Sequence, residues 1–196
     1  MTTTKKSMTT NFSSFAGKLL IAMPNIDDDR FEKAVIYVSA HTEESGAMGI
    51  VINKPADKIR FRDIMEQMNI ACHMATQTPD ILIGGPVQLT RGFILHSDEY
   101  QAQNILSHHH DIALTTSERI LLDVAAGKGP KHLILALGCA TWVAGQLEEE
   151  IMSNVWLTAE ANSDLIFRVP YGHRWETALA SLGISAPLFF SEFGKA

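Results

Sequence analysis

Three short apolar runs, Lys18 to Met23, Ala34 to Ala40 and Ala47 to Asn53, fall between Gly17 and Pro55, and no other feature of the chain restricts its fold as strongly. Each is strand length and too short for an ordinary helix. Pro24 stops the first because proline has no amide hydrogen to give a ladder, and Pro55 closes the third. Asn25 to Arg30 is polar and acidic, suited to a turn or a single helical turn, and His41 to Gly46 turns the chain again. The third run is apolar almost throughout, which predicts a strand covered on both faces.

Beyond Pro55 the pattern becomes mixed. Phe61, Ile64, Met65 and Met68 recur at helical spacing, so Arg60 to Asn69 is read as an amphipathic helix with Asp63 near its positive end. Cys72 to Pro79 is read as a loop. Ile81 to Ile83 and Gly92 to His96 read as two strands flanking Gly84, Gly85 and Pro86, an arrangement that suits a hairpin with a wide turn. Tyr100 to Asp111 is polar and read as irregular. A short strand at Ile112 to Leu114 precedes a helix capped by Thr116 or Ser117 and ended by Gly127.

His132 to Leu137 is the cleanest buried strand, and Gly138 to Thr141 is read as a turn into a helix running to about Met152. Val155 to Thr158 and Leu165 to Val169 read as strands. A last helix, His173 to Leu182, places Trp175, Leu179 and Leu182 on one face, with Gly183 as its cap. Strands and helices mix without regular alternation, and no repeat or linker divides them. The expected fold class is α+β (mixed α/β), one domain over 17–196, with 1–16 as a loosely ordered tail.

The chain has 196 residues, 46% hydrophobic and 19% charged, a globular composition. Its formal charge of -6 opposes direct nucleic acid binding, because no global positive field draws it to phosphate. The longest apolar runs are far shorter than the roughly 20 residues that cross a bilayer. Lys5 and Lys6 are followed by Ser, Thr and Asn instead of an apolar stretch, so no signal peptide is expected and the cytoplasm is the expected compartment. Cys72 and Cys139 have no CxxC pairing and read as reduced thiols.

The common chemical signatures fail. Gly127 and Lys128 lack the upstream glycine and the Ser or Thr of a phosphate loop, and neither GxSxG nor HExxH occurs. Asp27, Asp28 and Asp29 read as a solvated helix start, since Phe31 occupies a position where a calcium loop needs oxygen. His108, His109, His110 and Asp111 diverge along the chain, and a metal site there would need His96 or His132 as well, so no metal and no cofactor are assigned. Cys139 has two readings, a thiol activated at a helix start or a small buried apolar residue, and the second is favoured. Thr141 could cap the helix that follows. Trp142 reads as a core anchor with the glutamates of the next helix solvated, while a groove lined by Trp142 and Gln146 is the functional alternative.

The blocks GKLLIAMPNIDDDRFEKAVIYVSAH, GAMGIVINKP, GGPV and ALGCATWVAGQLEEEI followed by NVWL resemble, in order and spacing, the YqgE/AlgH family, from Gly17 to Ala196. The resemblance implies a bacterial cytosolic protein with a mixed, partly barrel-like sheet surrounded by helices, without an established biochemical activity. The AlgH name implies a proposed role in regulating alginate production. Matching positions are Pro24, Asp28, Phe31, Gly46, Gly49, Asn53, Pro55, Gly84, Gly85, Pro86, Gly138, Trp142, Gly145, Gln146, Leu147 and Glu148. The chain departs from the pattern at Asp29, where proline is expected, at Cys139, where an aromatic is usual, at Thr141, where glycine is usual, and at Lys195 in its GKA ending.

Three functional readings follow. The leading one is a non-enzymatic binding or regulatory module that takes a protein or small-molecule partner and acts indirectly on gene expression. The second is an enzyme of unrecognised type with a pocket near the 138–148 turn and helix, with no catalytic residue assigned. The third, a DNA-binding transcriptional regulator, rests on the family name and is opposed by the charge and by the lack of a basic recognition helix. The candidate ligand or partner surface is Asn53, Gly84, Gly85, Thr141, Trp142, Gln146 and Glu148.

Overall fold

A computed structural model describes residues 12–24, 26–71 and 78–185. The expected strands form β1 (Lys18–Ala22), β2 (Val35–Thr42) and β3 (Gly46–Val51), with a turn of 3-10 helix at Asp29–Phe31 between the first two. Antiparallel pairing joins β1 to β2 and β2 to β3. Every residue of β3 except Met48 is buried, as its continuous apolar character predicts. The amphipathic helix is α1 (Phe61–Gln67), with Phe61 and Met65 inward and Asp63 accepting from the Arg60 amide at 3.0 Å. Most of the loop expected at Cys72 to Pro79, including Cys72, lies outside the described residues, as do Asn25 and Lys195.

The chain continues through β4 (Asp80–Ile83), β5 (Val87–Ser97), β6 (Ile105–His109), β7 (Ile112–Thr115), α2 (Arg119–Ala125), β8 (Leu133–Trp142), α3 (Gln146–Met152), β9 (Trp156–Glu160), α4 (Ser163–Phe167) and α5 (Arg174–Ser181). The sheet runs β6-β7-β5-β8-β3-β2-β1-β9, with β4 also on β8. It curls, and His109 of β6 reaches back to the Ser39 carbonyl of β2. Inside the curl pack Leu19, Tyr37, Ile50, Phe93, Leu95 and Leu114, with Trp175 and Leu179 of α5 in the same apolar cluster. The fold is thus a single α+β domain with a curled, half-barrel sheet, as expected. No helix among the described residues is long and apolar enough to cross a membrane.

Five expectations are corrected. The strands flanking Gly84, Gly85 and Pro86 form no hairpin, because β8 lies between them, parallel to β4 and antiparallel to β5. The 84–86 link therefore has to cross β8. A Cβ built on Gly84 would meet the Gly138 carbonyl oxygen at 2.3 Å, and one on Gly85 the Cys139 carbonyl carbon at 2.2 Å. Gly138, at φ +77°, faces the Gly85 oxygen from the other side. Glycine here lets one backbone pass against another.

Gly138 is accordingly no turn into a helix. It is the point where β4 gives way to β3 as a partner of β8, at Gly49↔Ala140 through Ala47↔Trp142, while β5 pairs with β8 on both sides of it, up to Val87↔Cys139. Thr141 is thus a strand residue and caps nothing. Tyr100 to Asp111 is irregular only in part, since β6 (Ile105–His109) forms on β7 despite its histidines and a bulge between Ile105 and Ser107. Leu165 to Phe167 is helical instead of extended: Asn162 Oδ1 accepts from the amides of Asp164 and Leu165, and that cap starts α4. The helix after β7 starts at Arg119 without a Thr116 or Ser117 cap.

Candidate functional site

The end of β8 and the start of α3 do converge on a cleft. Trp142 is the last residue of β8, and Gly145, at φ +81°, reverses the chain into α3. Gln146 secures that corner, its Oε1 accepting from the Val143 amide at 3.1 Å. One helical turn on, Glu150 projects from the same face, and Gln146 Nε2 donates to its Oε1 at 2.8 Å. The other carboxylate oxygen, Oε2, accepts from two indoles, Trp142 Nε1 and Trp156 Nε1, both at 2.8 Å. Three N–H donors from β8, α3 and β9 thus meet on one carboxylate.

The two indoles stand edge to face at 6.2 Å, and Phe31 lies edge-on to Trp156 at 5.7 Å. Around them opens a cleft of about 410 Å³ whose walls include Asp27, Asp28, Phe31, Pro86, Thr141 and Gln146, along with Glu150 and both tryptophans. Asp28 caps the 3-10 turn through the Arg30 amide and grips the Arg30 guanidinium, with Nη2 at 2.6 Å from Oδ2. That hydrogen bond holds the Asp28 carboxyl below its ordinary range. The Arg30 guanidinium also lies 5.9 Å from the centre of the Phe31 ring.

Of the candidate residues, Thr141, Trp142 and Gln146 share this cleft. Thr141 is exposed there, and Trp142 is 5% exposed and also packs in the core as expected. The other four lie apart. Asn53 serves the fold, accepting from the Val35 amide at 2.8 Å and donating to the Lys33 carbonyl at 2.7 Å. Gly84 and Gly85 are buried in the crossing over β8. Glu148 points to another side of α3, its Oε1 3.2 Å from Nε2 of buried His41. Nδ1 of that ring accepts from the Phe15 amide at 3.0 Å, and Ser14 Oγ donates to the His41 carbonyl, so residues 14 and 15 are tied to β2.

Glu150 is the central residue that sequence reasoning missed, grouped there with the solvated glutamates. Its signal was available, since 146 and 150 share a helical face. Trp156, in a strand correctly expected, was missed for want of any local cue to its partner. Cys139 sits mid-strand in β8, fully buried, and burial pushes its thiol up from the ordinary value. Among the described residues no three His, Cys, Asp or Glu side chains are grouped to hold a metal. A second cleft of about 990 Å³ between α1, β5 and α2 is larger, but none of the candidate or family-matching residues line it.

Comparison with known proteins accords with these matches. The AlgH-like family matches residues 19–187. A UPF0301 protein of Jannaschia sp. is 45% identical, over 92% of this chain and 94% of its own. One from Beijerinckia indica is 46% identical, over 92% and 91%. The solution structure of the AlgH protein from Pseudomonas aeruginosa is similar with a TM-score of 0.75 and 36% identity, covering 96% of this chain and 97% of that one. A Corynebacterium diphtheriae protein at 20% identity, TM-score 0.69 and 91% and 92% coverage shares the fold. Blocks that lie far apart in sequence and meet at one cleft thus have their counterpart in whole-chain similarity, and the chain belongs to the AlgH-like, UPF0301 family.

Proposed function

We propose that the protein is a cytosolic binding module whose working surface is the Glu150 cleft, and that it acts on gene expression indirectly, through a partner held there. One observation carries this reading: Asp28, Phe31, Pro86, Trp142 and Gln146, family-matching residues from three separate blocks, border one solvent-accessible space. The space is of a size suited to a side chain or a small metabolite. Binding is favoured over catalysis by the state of its polar groups. Glu150 is fixed by three donors, a rigid wall with little freedom to shuttle protons, and the Cys139 thiol is buried and pushed away from reactivity. The -6 charge favours an indirect route over reading DNA.

A thermal-shift screen of metabolites and cell fractions against the protein and its Thr141→Arg variant tests the reading. A ligand preferring the folded state raises the melting temperature. The expected result is a shift that Thr141→Arg abolishes. Shifts of equal size in both proteins would reject the cleft.

A further inference from the structure

Charge and aromatic chemistry specify what the Glu150 cleft can hold, given that the cleft is the binding site. Glu150 accepts three neutral N–H groups, which orient its carboxylate without cancelling its charge. No Lys, Arg or His pairs with it among the described residues. A carboxylate has about four acceptor sites, so one direction stays available. Asp27 adds a second carboxylate at the exposed mouth, one with no ion-pair partner among the described residues, while Asp28 is held by Arg30. Low-dielectric walls of Phe31, Pro86, Val87, Val155 and the indoles reduce screening of that negative field.

The mouth also supplies a template from the protein's own side chains. Arg30 has its guanidinium gripped by a carboxylate and set against Phe31, the pairing of charge and aromatic ring that an incoming cation would find deeper in the cleft. We propose that the cleft binds an organic cation, a guanidinium or alkylammonium group that meets the Glu150 carboxylate beside the aromatic rings. An anionic ligand would face two uncompensated carboxylates, and a neutral one would leave the charge of Glu150 buried against it. The cation can belong to a free amine metabolite or to a basic side chain of a partner protein.

Titration of the ¹⁵N-labelled protein at low salt, read on the indole N–H signals of Trp142 and Trp156, distinguishes these cases. The probes are agmatine, a capped tripeptide with central arginine, and the same tripeptide with neutral citrulline. The arginine peptide or agmatine is expected to bind about tenfold more tightly than the citrulline peptide. Tighter binding of agmatine assigns a free metabolite, and tighter binding of the peptide a protein side chain. Glu150→Gln keeps an oxygen for the indoles and removes the charge, and is expected to erase the preference. Should that variant fail to fold, Asp27→Asn at the exposed mouth is expected to weaken cation binding about twofold. Equal binding of arginine and citrulline peptides overturns the cation proposal while leaving the cleft standing. Indole signals that no cationic probe moves, in a protein whose thermal-shift ligands still depend on Thr141, overturn it as well.

Discussion

The crossing at Gly84, Gly85 and Gly138 and the cleft around Glu150 lie at opposite ends of the same short piece of β8, and family-matching residues make the first and border the second. At the crossing, the space a side chain would occupy is filled by backbone, with contacts of 2.2 to 2.6 Å for any added Cβ. At the cleft, residues of the same standing border about 410 Å³ of accessible space. Family resemblance weighs the two alike. What separates them is occupancy: a residue whose neighbours already fill its surroundings explains the fold, and one that faces open space has something left to bind.

Substitutions sharpen this contrast. Gly85→Ala is expected to have the largest effect, a loss of roughly 3 kcal/mol or more, because its Cβ collides with backbone that cannot move aside and φ is +148°. Urea denaturation measures it, and a loss under 1 kcal/mol would mean the crossing is not packed as described. Glu150→Ala strands two buried indole N–H groups and is expected to cost about 2 to 3 kcal/mol, with a change in tryptophan fluorescence. An unaltered spectrum and stability would show that the three-donor hub does not form.

A pH effect of intermediate size should come from a third place, His96. It is fully buried, Nδ1 lies 2.9 Å from the Ser97 carbonyl, Nε2 has no hydrogen-bond partner among the described residues, and desolvation lowers its pKa from 6.5. Above pH 6.5 the ring is neutral in both folded and unfolded chains and its contribution to stability is complete. As pH falls through 6.5 the unfolded chain binds the proton first, so stability declines by at most about 1.4 kcal/mol per pH unit. His96→Leu should flatten the profile between pH 7.5 and 5.5. An identical slope in that variant would assign the effect to other groups.

Thr141→Arg is expected to be the mildest for the fold, within about 0.5 kcal/mol, since position 141 is exposed. It is also the substitution expected to close the cleft. A large loss of stability would show that Thr141 is not a free wall.

How much of this was legible in the sequence depended on whether a feature is local. The strands between Gly17 and Pro55 are dictated by apolar runs and prolines, and they form where expected. The hairpin at Gly84 and Gly85 failed because a glycine pair looks the same in a turn as in a backbone crossing, and only the insertion of β8 decides between them. Gly138 misled in the same way, ending a strand on paper and bending a continuous one in the fold. In the cleft, Trp142 and Gln146 were visible through the family blocks, whereas Glu150 depends on Trp156, which comes from another strand.

The central claim is that binding resides in the open space at Glu150 and not at the glycine crossing or in the larger cleft by Arg91. It is tested most directly by ¹⁵N spectra of the protein and of Thr141→Arg, each with and without a cell metabolite and protein extract. The Trp142 and Trp156 indole signals and the Gln146 amides are expected to move in the unmodified protein, with Gly85 and Gly138 fixed and Thr141→Arg unchanged. Perturbations gathered around Leu89, Arg91 and Leu137 and undiminished by Thr141→Arg would contradict it.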